Sequence, residues 1–218
     1  LASTVAFGAQ PAASVQFVSS TELVAVSPFS ATVTTVDVVV TTAYGSSGAG
    51  NGFTYSESPV VTDVQPRSGP INGGNTVTIT GLDFQGITGV SFGAVSAAAF
   101  TRVSATEITA TVPGQAAGPV DVRVTGSGGT SPISAGDRYS YLTAPSVTSL
   151  APNAGPVAGG TSVTITGSGF VTGSTVTFDG ANASSVQWVS ASQLIATTPS
   201  HTAGTVDVVV TTPGGPSA

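Results

Sequence analysis

The feature that most narrows what this chain can fold into is an internal repeat with a period the size of a small domain. Val5-Ala6-Phe7-Gly8, Val90-Ser91-Phe92-Gly93 and Val176-Thr177-Phe178-Asp179 open three matching stretches, their phenylalanines 85 and 86 residues apart. Val18-Ser19-Ser20-Thr21-Glu22-Leu23, Val103-Ser104-Ala105-Thr106-Glu107-Ile108 and Val189-Ser190-Ala191-Ser192-Gln193-Leu194 keep those offsets, and Val36-Asp37-Val38, Val120-Asp121-Val122 and Val206-Asp207-Val208 follow at 84 and 86. A unit of about 85 residues is too long for a solenoid repeat and suits a small sandwich.

Only the middle repeat is complete in these 218 residues. It opens with Pro66-Arg67-Ser68-Gly69-Pro70 through Thr76-Val77-Thr78-Ile79-Thr80-Gly81, and the third opens with Pro152-Asn153-Ala154-Gly155-Pro156 through Ser162-Val163-Thr164-Ile165-Thr166-Gly167. The first repeat lacks this stretch. Phe53-Thr54-Tyr55 and Tyr139-Ser140-Tyr141 close the first two repeats, and the third ends before its equivalent. The expected organisation is therefore a partial repeat over 1–57, a complete one over 58–142, and one lacking its last strand over 143–218. A sandwich without its first or last strands exposes a ladder edge. The polypeptide then continues beyond Leu1 and Ala218, or another chain adds the strands. The interrupted pattern, with no detached donor segment, favours continuation.

Within a repeat the period is two, the mark of half-buried strands. Val77 and Ile79 point one way and Thr78 and Thr80 the other, and Val163/Ile165 against Thr164/Thr166 repeats the arrangement. Ile108, Ala110 and Val112, then Val120, Val122 and Val124, form further inward rows. Composition agrees, with 33 Thr and 29 Ser favouring strands and turns over helices. About seven short strands per repeat predict an all-β fold of tandem antiparallel sandwiches.

The residues resemble the IPT/TIG family of immunoglobulin-like domains. The resemblance rests on Pro66, Gly69-Pro70, Gly73-Gly74, Val77 to Gly81 and Phe84, and again on Pro152, Gly155-Pro156, Gly159-Gly160, Val163 to Gly167 and Phe170. It implies an immunoglobulin-like sandwich and a non-catalytic module of the kind found in bacterial surface proteins, receptor ectodomains, some polysaccharide-degrading enzymes and certain transcription factors. The family sets fold more tightly than function.

Charge excludes several classes. Four arginines and a net charge of −6 cannot neutralise a run of phosphates, so nucleic acid is not an expected partner. Aliphatic strings such as Val38-Val39-Val40 fall far short of the roughly 20 residues of a membrane helix, and Leu1-Ala2-Ser3-Thr4 is no basic signal region, so no membrane insertion is expected in this segment. The absence of Cys removes disulfides, thiolate metal sites and thiol nucleophiles. His201 is the only histidine, and its counterpart in the middle repeat is Gln115, which cannot act as a base. Asp37, Asp121 and Asp207 recur one per repeat, too far apart for a carboxylate pair, and read as outward strand positions rather than calcium ligands. No Lys follows the glycines of Gly45 to Gly52, which read as a loop tip rather than a phosphate cradle. No catalytic residue, cofactor or metal is expected, and the chain is not expected to be an enzyme.

Two surface features remain. Trp188 stands where the other repeats carry Phe17 and Arg102; it is a candidate sugar-stacking platform, although a strand-edge packing role fits Phe17 better. Only 6% of residues are charged against about 25% in an average protein, which leaves little repulsion between copies. Val24, Val26, Val39, Ile195 and Val209 fall at outward positions and mark a candidate packing surface, where the middle repeat carries Thr109, Thr111 and Arg123. Asn182-Ala183-Ser184 is an N-glycosylation sequon, relevant only in a secreting host with the machinery. Joints containing Pro59 and Pro145 are short and stiff. Together these predict a structural and adhesive segment of an extracellular surface protein or filament, partnered by copies of itself or neighbouring repeats. The competing readings are a glycan- or receptor-binding module and an accessory part of a polysaccharide-degrading enzyme.

Overall fold

The computed structural model describes residues 3–30 and 32–218; Leu1 and Ala2, with which the first repeat begins, and Ala31 lie outside them. The described residues form strands and turns, with no helix among them.

The middle repeat is a sandwich of two sheets. One places Ala99–Arg102, Glu107–Thr111, Thr76–Leu82 and Val60–Gln65 side by side, all antiparallel. The other orders Val95–Ser96, Ile87–Phe92, Gly118–Gly126, Arg138–Leu142 and Ser68–Pro70, where the last pairing is parallel. The alternation read from sequence decides the faces: Val77, Ile79, Ile108, Val122 and Val124 have no exposed surface, while Thr76 and Thr80 are solvated. Tyr139, Tyr141, Phe84 and Phe92 fill the remaining core. Each such side chain contributes roughly 1.5–3 kcal/mol by leaving water.

At Thr80/Gly81 the ladder slips by one residue against Val60–Gln65. Gly81 sits in the slip with the ring of Phe84 laid over it. The same corner recurs as Gly167 and Phe170.

The third repeat repeats both sheets with shorter partners. Ser146–Ala151, Ser162–Ser168, Gln193–Thr197 and Ser185–Ser190 form one sheet, and Ala181–Asn182, Thr175–Phe178, Val208–Thr212 and Gly215–Pro216 the other. Val163, Ile165, Phe170, Leu194 and Val210 make its core. The X-Pro bonds before Pro66 and Pro152 are both cis.

The first repeat carries one five-stranded sheet, built on Thr4–Phe7, Thr34–Thr42 and Gly52–Tyr55, and a separate hairpin of Ser14–Ser19 with Glu22–Val26. In the other repeats the strand matching Glu22–Val26 lies between two neighbours. Here it has one among the described residues. Leu23 and Ala25 are accordingly half-buried, whereas Ile108, Ala110, Leu194 and Ala196 are fully covered.

Candidate functional site

The sequence singled out Trp188 as a binding residue and five aliphatics as a packing surface. Trp188 lies on the edge strand Ser185–Ser190, opposite Leu194, with 43% of its surface exposed. Its indole Nε1–H donates to the carbonyl of Phe170 at 3.2 Å. Arg102, opposite Ile108 in the middle repeat, donates its Nε–H to the carbonyl of Phe84. Two unlike side chains thus do one task, capping the carbonyl of the phenylalanine corner, because each carries an N–H at the same reach. The indole N–H of Trp188 is thus committed to the sandwich while part of the residue stays exposed.

Val24 and Val26 are exposed, at 48% and 53%, whereas Val39, Ile195 and Val209 are half-buried. Neighbouring strands explain the difference. Ile195 is flanked by Thr164 and Gln187, while Val24 has only Gln16 beside it. Thr109 and Thr111 are half-buried for the same reason as Ile195.

Titratable groups stay scattered, and no group of three or more metal-capable side chains occurs among the described residues. His201 Nδ1 is 2.9 Å from the Thr202 carbonyl oxygen, and Nε2 is 3.6 Å from Asp179 Oδ2. Asp37 and Asp207 are solvated, and Asp121 faces Arg138 at 3.7 Å.

One buried carboxylate was not evident from sequence. Asp137 has no exposed surface; Oδ2 accepts from the Ser134 amide at 2.8 Å, and Oδ1 has no partner. Burial pushes its pKa above the ordinary 3.8, against the opposing pull of the Ser134 hydrogen bond. A folded-state pKa above the unfolded one favours folding at pH below the unfolded value, and that contribution is lost as pH rises through the folded value. Asn51 occupies the matching position in the first repeat, one residue before the closing strand Gly52–Tyr55. Asp137→Asn should therefore gain on the parent chain as pH rises from 3.8 toward neutrality, measured as the difference in urea midpoints. A difference that does not change with pH would contradict this.

The joints are more ordered than the linker prolines implied. Tyr55 ends the closing strand of the first repeat, and the hydroxyl of Ser56 already bonds that of Ser127 at 2.9 Å. Ser58 donates to the Gly128 carbonyl at 2.6 Å. Both bonds fix the linker to the Gly118–Gly126/Gly129–Thr130 hairpin of the sandwich that follows. A Cβ on Gly128 would stand 2.0 Å from the Glu57 carbonyl oxygen. The next joint repeats the contact one period later, where a Cβ on Gly214 would stand 2.2 Å from the Thr143 carbonyl oxygen. In the first repeat the matching hairpin position is Tyr44, 95% exposed.

Tandem two-sheet sandwiches of short, mostly antiparallel strands define an immunoglobulin-like module. The chain belongs to the IPT/TIG domain family, whose family model matches residues 59–141 and 145–218. This agrees with the resemblance carried by Pro66 to Phe84 and Pro152 to Phe170, and the fold is the expected one. Fibrocystin-L of Mus musculus is 35% identical over 69 residues, covering 32% of this chain and 2% of that protein. Among solved structures, the full extracellular region of plexin A4 is 23% identical with a TM-score of 0.45, over 73% of this chain and 17% of that one. SGBP-B from a xyloglucan utilization locus of Bacteroides uniformis is 22% identical with a TM-score of 0.32, over 73% and 48%.

Proposed function

We propose that this chain is a structural and adhesive segment of an extracellular tandem-repeat surface protein or filament, acting as a semi-rigid spacer whose sides pack against neighbours. The seating of each linker on the following sandwich carries the reading, through hydrogen bonds from Ser56 and Ser58 at the first joint and through close backbone approach to Gly214 at the second. The first repeat's closing strand ends at Tyr55 and the linker is bonded from Ser56; the middle repeat's ends at Leu142 and the Thr143 carbonyl lies against Gly214. A short joint seated on the next sandwich transmits force and keeps a set direction. The low charge and the exposed Val24 and Val26 support lateral packing on copies of the chain or on neighbouring repeats. In this reading residues 1–57, 58–142 and 143–218 are three successive units of one tandem array. Surface placement is part of the same proposal, supported by a lysine-free chain with four arginines and so few trypsin sites.

The test uses the absence of cysteine. Spin labels on Thr21→Cys with Thr101→Cys, and on Thr101→Cys with Ala191→Cys, report the two joints by pulsed electron resonance. Narrow distance distributions are expected, and Gly128→Val or Gly214→Val should broaden the distribution across the matching joint. Broad distributions in the parent chain would overturn the spacer reading. The exposed ring of Trp188 favours a second reading, a glycan- or receptor-binding module. Glycan-array binding that Trp188→Ala abolishes would place that reading first.

A further inference from the structure

In the middle sandwich, which has its closing strand Arg138–Leu142, the first sheet still leaves one edge free, at Ala99–Arg102. In the third sandwich the matching free edge is Ser185–Ser190. The edge therefore belongs to the fold of the unit. An edge strand offers unpaired N–H and C=O groups to any extended chain, and proteins guard such edges with charged side chains. The middle sheet is guarded in this way, by Arg102 on the edge strand, Glu107 on the strand beside it and Asp63 on the far strand. In the first repeat the edge strand Ser14–Ser19 has Glu22 opposite Ser19.

The third sandwich has no such guard. Its strands Ser146–Ala151, Ser162–Ser168, Gln193–Thr197 and Ser185–Ser190 contain no Asp, Glu, Arg or His. Every residue from Ser185 to Val189 is exposed. Val186 and Trp188 lie opposite the buried Ala196 and Leu194 and so belong to the inner face, whereas Gln187 lies opposite Ile195 on the outer one. Residues facing each other across an antiparallel pair share a face. Two copies of this edge that join with both inner faces on one side can therefore centre on Gln187. That register sets each Val186 against Trp188 of the other copy and the two Gln187 amides against each other. The strand is self-complementary there, with an aromatic ring against a β-branched side chain on one face and an amide, donor and acceptor at once, against its own kind on the other.

We propose that Ser185–Ser190 is a self-association edge, on which a second copy of this chain seats its own Ser185–Ser190 antiparallel, with Gln187 facing Gln187. The proposal rests on the side-packing part of the reading above and gives that part its surface. Backbone hydrogen bonds supply the attraction, and the absence of charge on the sheet leaves nothing to oppose it. The register slip between Trp188 and Ser190 ends the straight ladder after the pairs made by Val186, Gln187 and Trp188. The contact is thus smaller than the roughly 1,200 Å² at which stable interfaces begin, and the association is weak. Its two-fold symmetry closes it at two copies.

Sedimentation of the 218-residue chain from about 10 μM to about 1 mM reads the pairing, and a monomer–dimer equilibrium is expected. Gln187→Lys and Gln187→Glu each set like charges face to face and should weaken it at least tenfold, while an equal mixture of the two variants restores it. Facing Cα atoms across an antiparallel ladder are about 4.5–5.5 Å apart, within disulfide reach. Gln187→Cys should therefore cross-link to itself with dioxygen as the oxidant, and Thr101→Cys, its counterpart on the guarded edge, should not. No dimer at about 1 mM, a dimer that neither charge variant weakens, or equal cross-linking of the two cysteine variants would each overturn the proposal. The spin-label distances keep it apart from the spacer reading. Narrow joint distances in a chain that stays monomeric overturn the edge alone, and broad ones in a chain whose dimer the charge variants break uphold the edge while the spacer falls.

Discussion

Tyr139→Ala is expected to destabilise the middle sandwich by about 4 kcal/mol, within the range for removing a buried aromatic ring. The side chain has no exposed surface and lies edge-on to Phe92 at 5.4 Å and to Tyr141 at 5.1 Å. Its hydroxyl accepts from Asn75 Nδ2 at 3.0 Å and donates to Oδ1 at 3.2 Å. The alanine variant leaves both a void and an unsatisfied amide. Tyr139→Phe keeps the ring and loses only the hydrogen bonds, at a cost of about 1 kcal/mol. Burial also raises the Tyr139 pKa above 10.0, the Asn75 hydrogen bond notwithstanding. The folded state therefore favours the neutral phenol, and that contribution is lost as pH rises through the folded value, so the phenylalanine variant should be less sensitive to alkali. Urea unfolding, with hydrogen exchange at the Val122 and Val124 amides, reads the middle sandwich specifically. A loss below about 1 kcal/mol for Tyr139→Ala would show that the closing strand does not organise this core.

Gly81→Ala should cost about 3 kcal/mol, the upper end of overpacking. The added Cβ would stand 2.0 Å from the Val60 carbonyl oxygen and 2.4 Å from Phe84 Cζ. Phe84 is fully buried and the carbonyl belongs to the neighbouring strand, so relief requires moving backbone at the ladder slip. Gly167→Ala should do the same to the third sandwich, with contacts of 1.9 Å to the Ser146 carbonyl oxygen and 2.6 Å to Phe170 Cζ. Gly89→Ala is the control, since its Cβ would meet only Thr125 at 3.9 Å. The control should be near neutral or slightly stabilising. Thermal unfolding by near-ultraviolet circular dichroism separates these outcomes; equal midpoints for Gly81→Ala and Gly89→Ala would refute the corner argument.

The repeat, its strands and its faces were legible in the order of residues because side chains two apart share one face of a strand, so Val77 and Ile79 had to be buried together. The poverty of bases and carboxylates was legible in the same way, and it agrees with membership in a family of non-catalytic modules. The outward positions of Val24 and Ile195 followed from alternation, but their different exposure did not, since it depends on how many strands lie alongside. Contacts between distant residues had no local signature. Asn75 and Tyr139 are 64 positions apart, and Trp188 gave no sign that its N–H would cap the Phe170 carbonyl as Arg102 caps that of Phe84.

The glycines draw the line most clearly. Gly128 and Gly214 look like ordinary hairpin residues in the chain, and only the folded protein brings the Glu57 and Thr143 carbonyls against them. Gly69 and Gly155 look alike as parts of a recurring Gly-Pro pair, and only the folded protein sets the Tyr139 hydroxyl and Asn75 against the first and the Thr161 side chain against the second. Periodicity is a property of neighbours along the chain and dictates which side of a strand is apolar. Where a backbone must approach within a Cβ radius, and where a ring can enter, is set by strands that meet only after the two sheets have closed on each other.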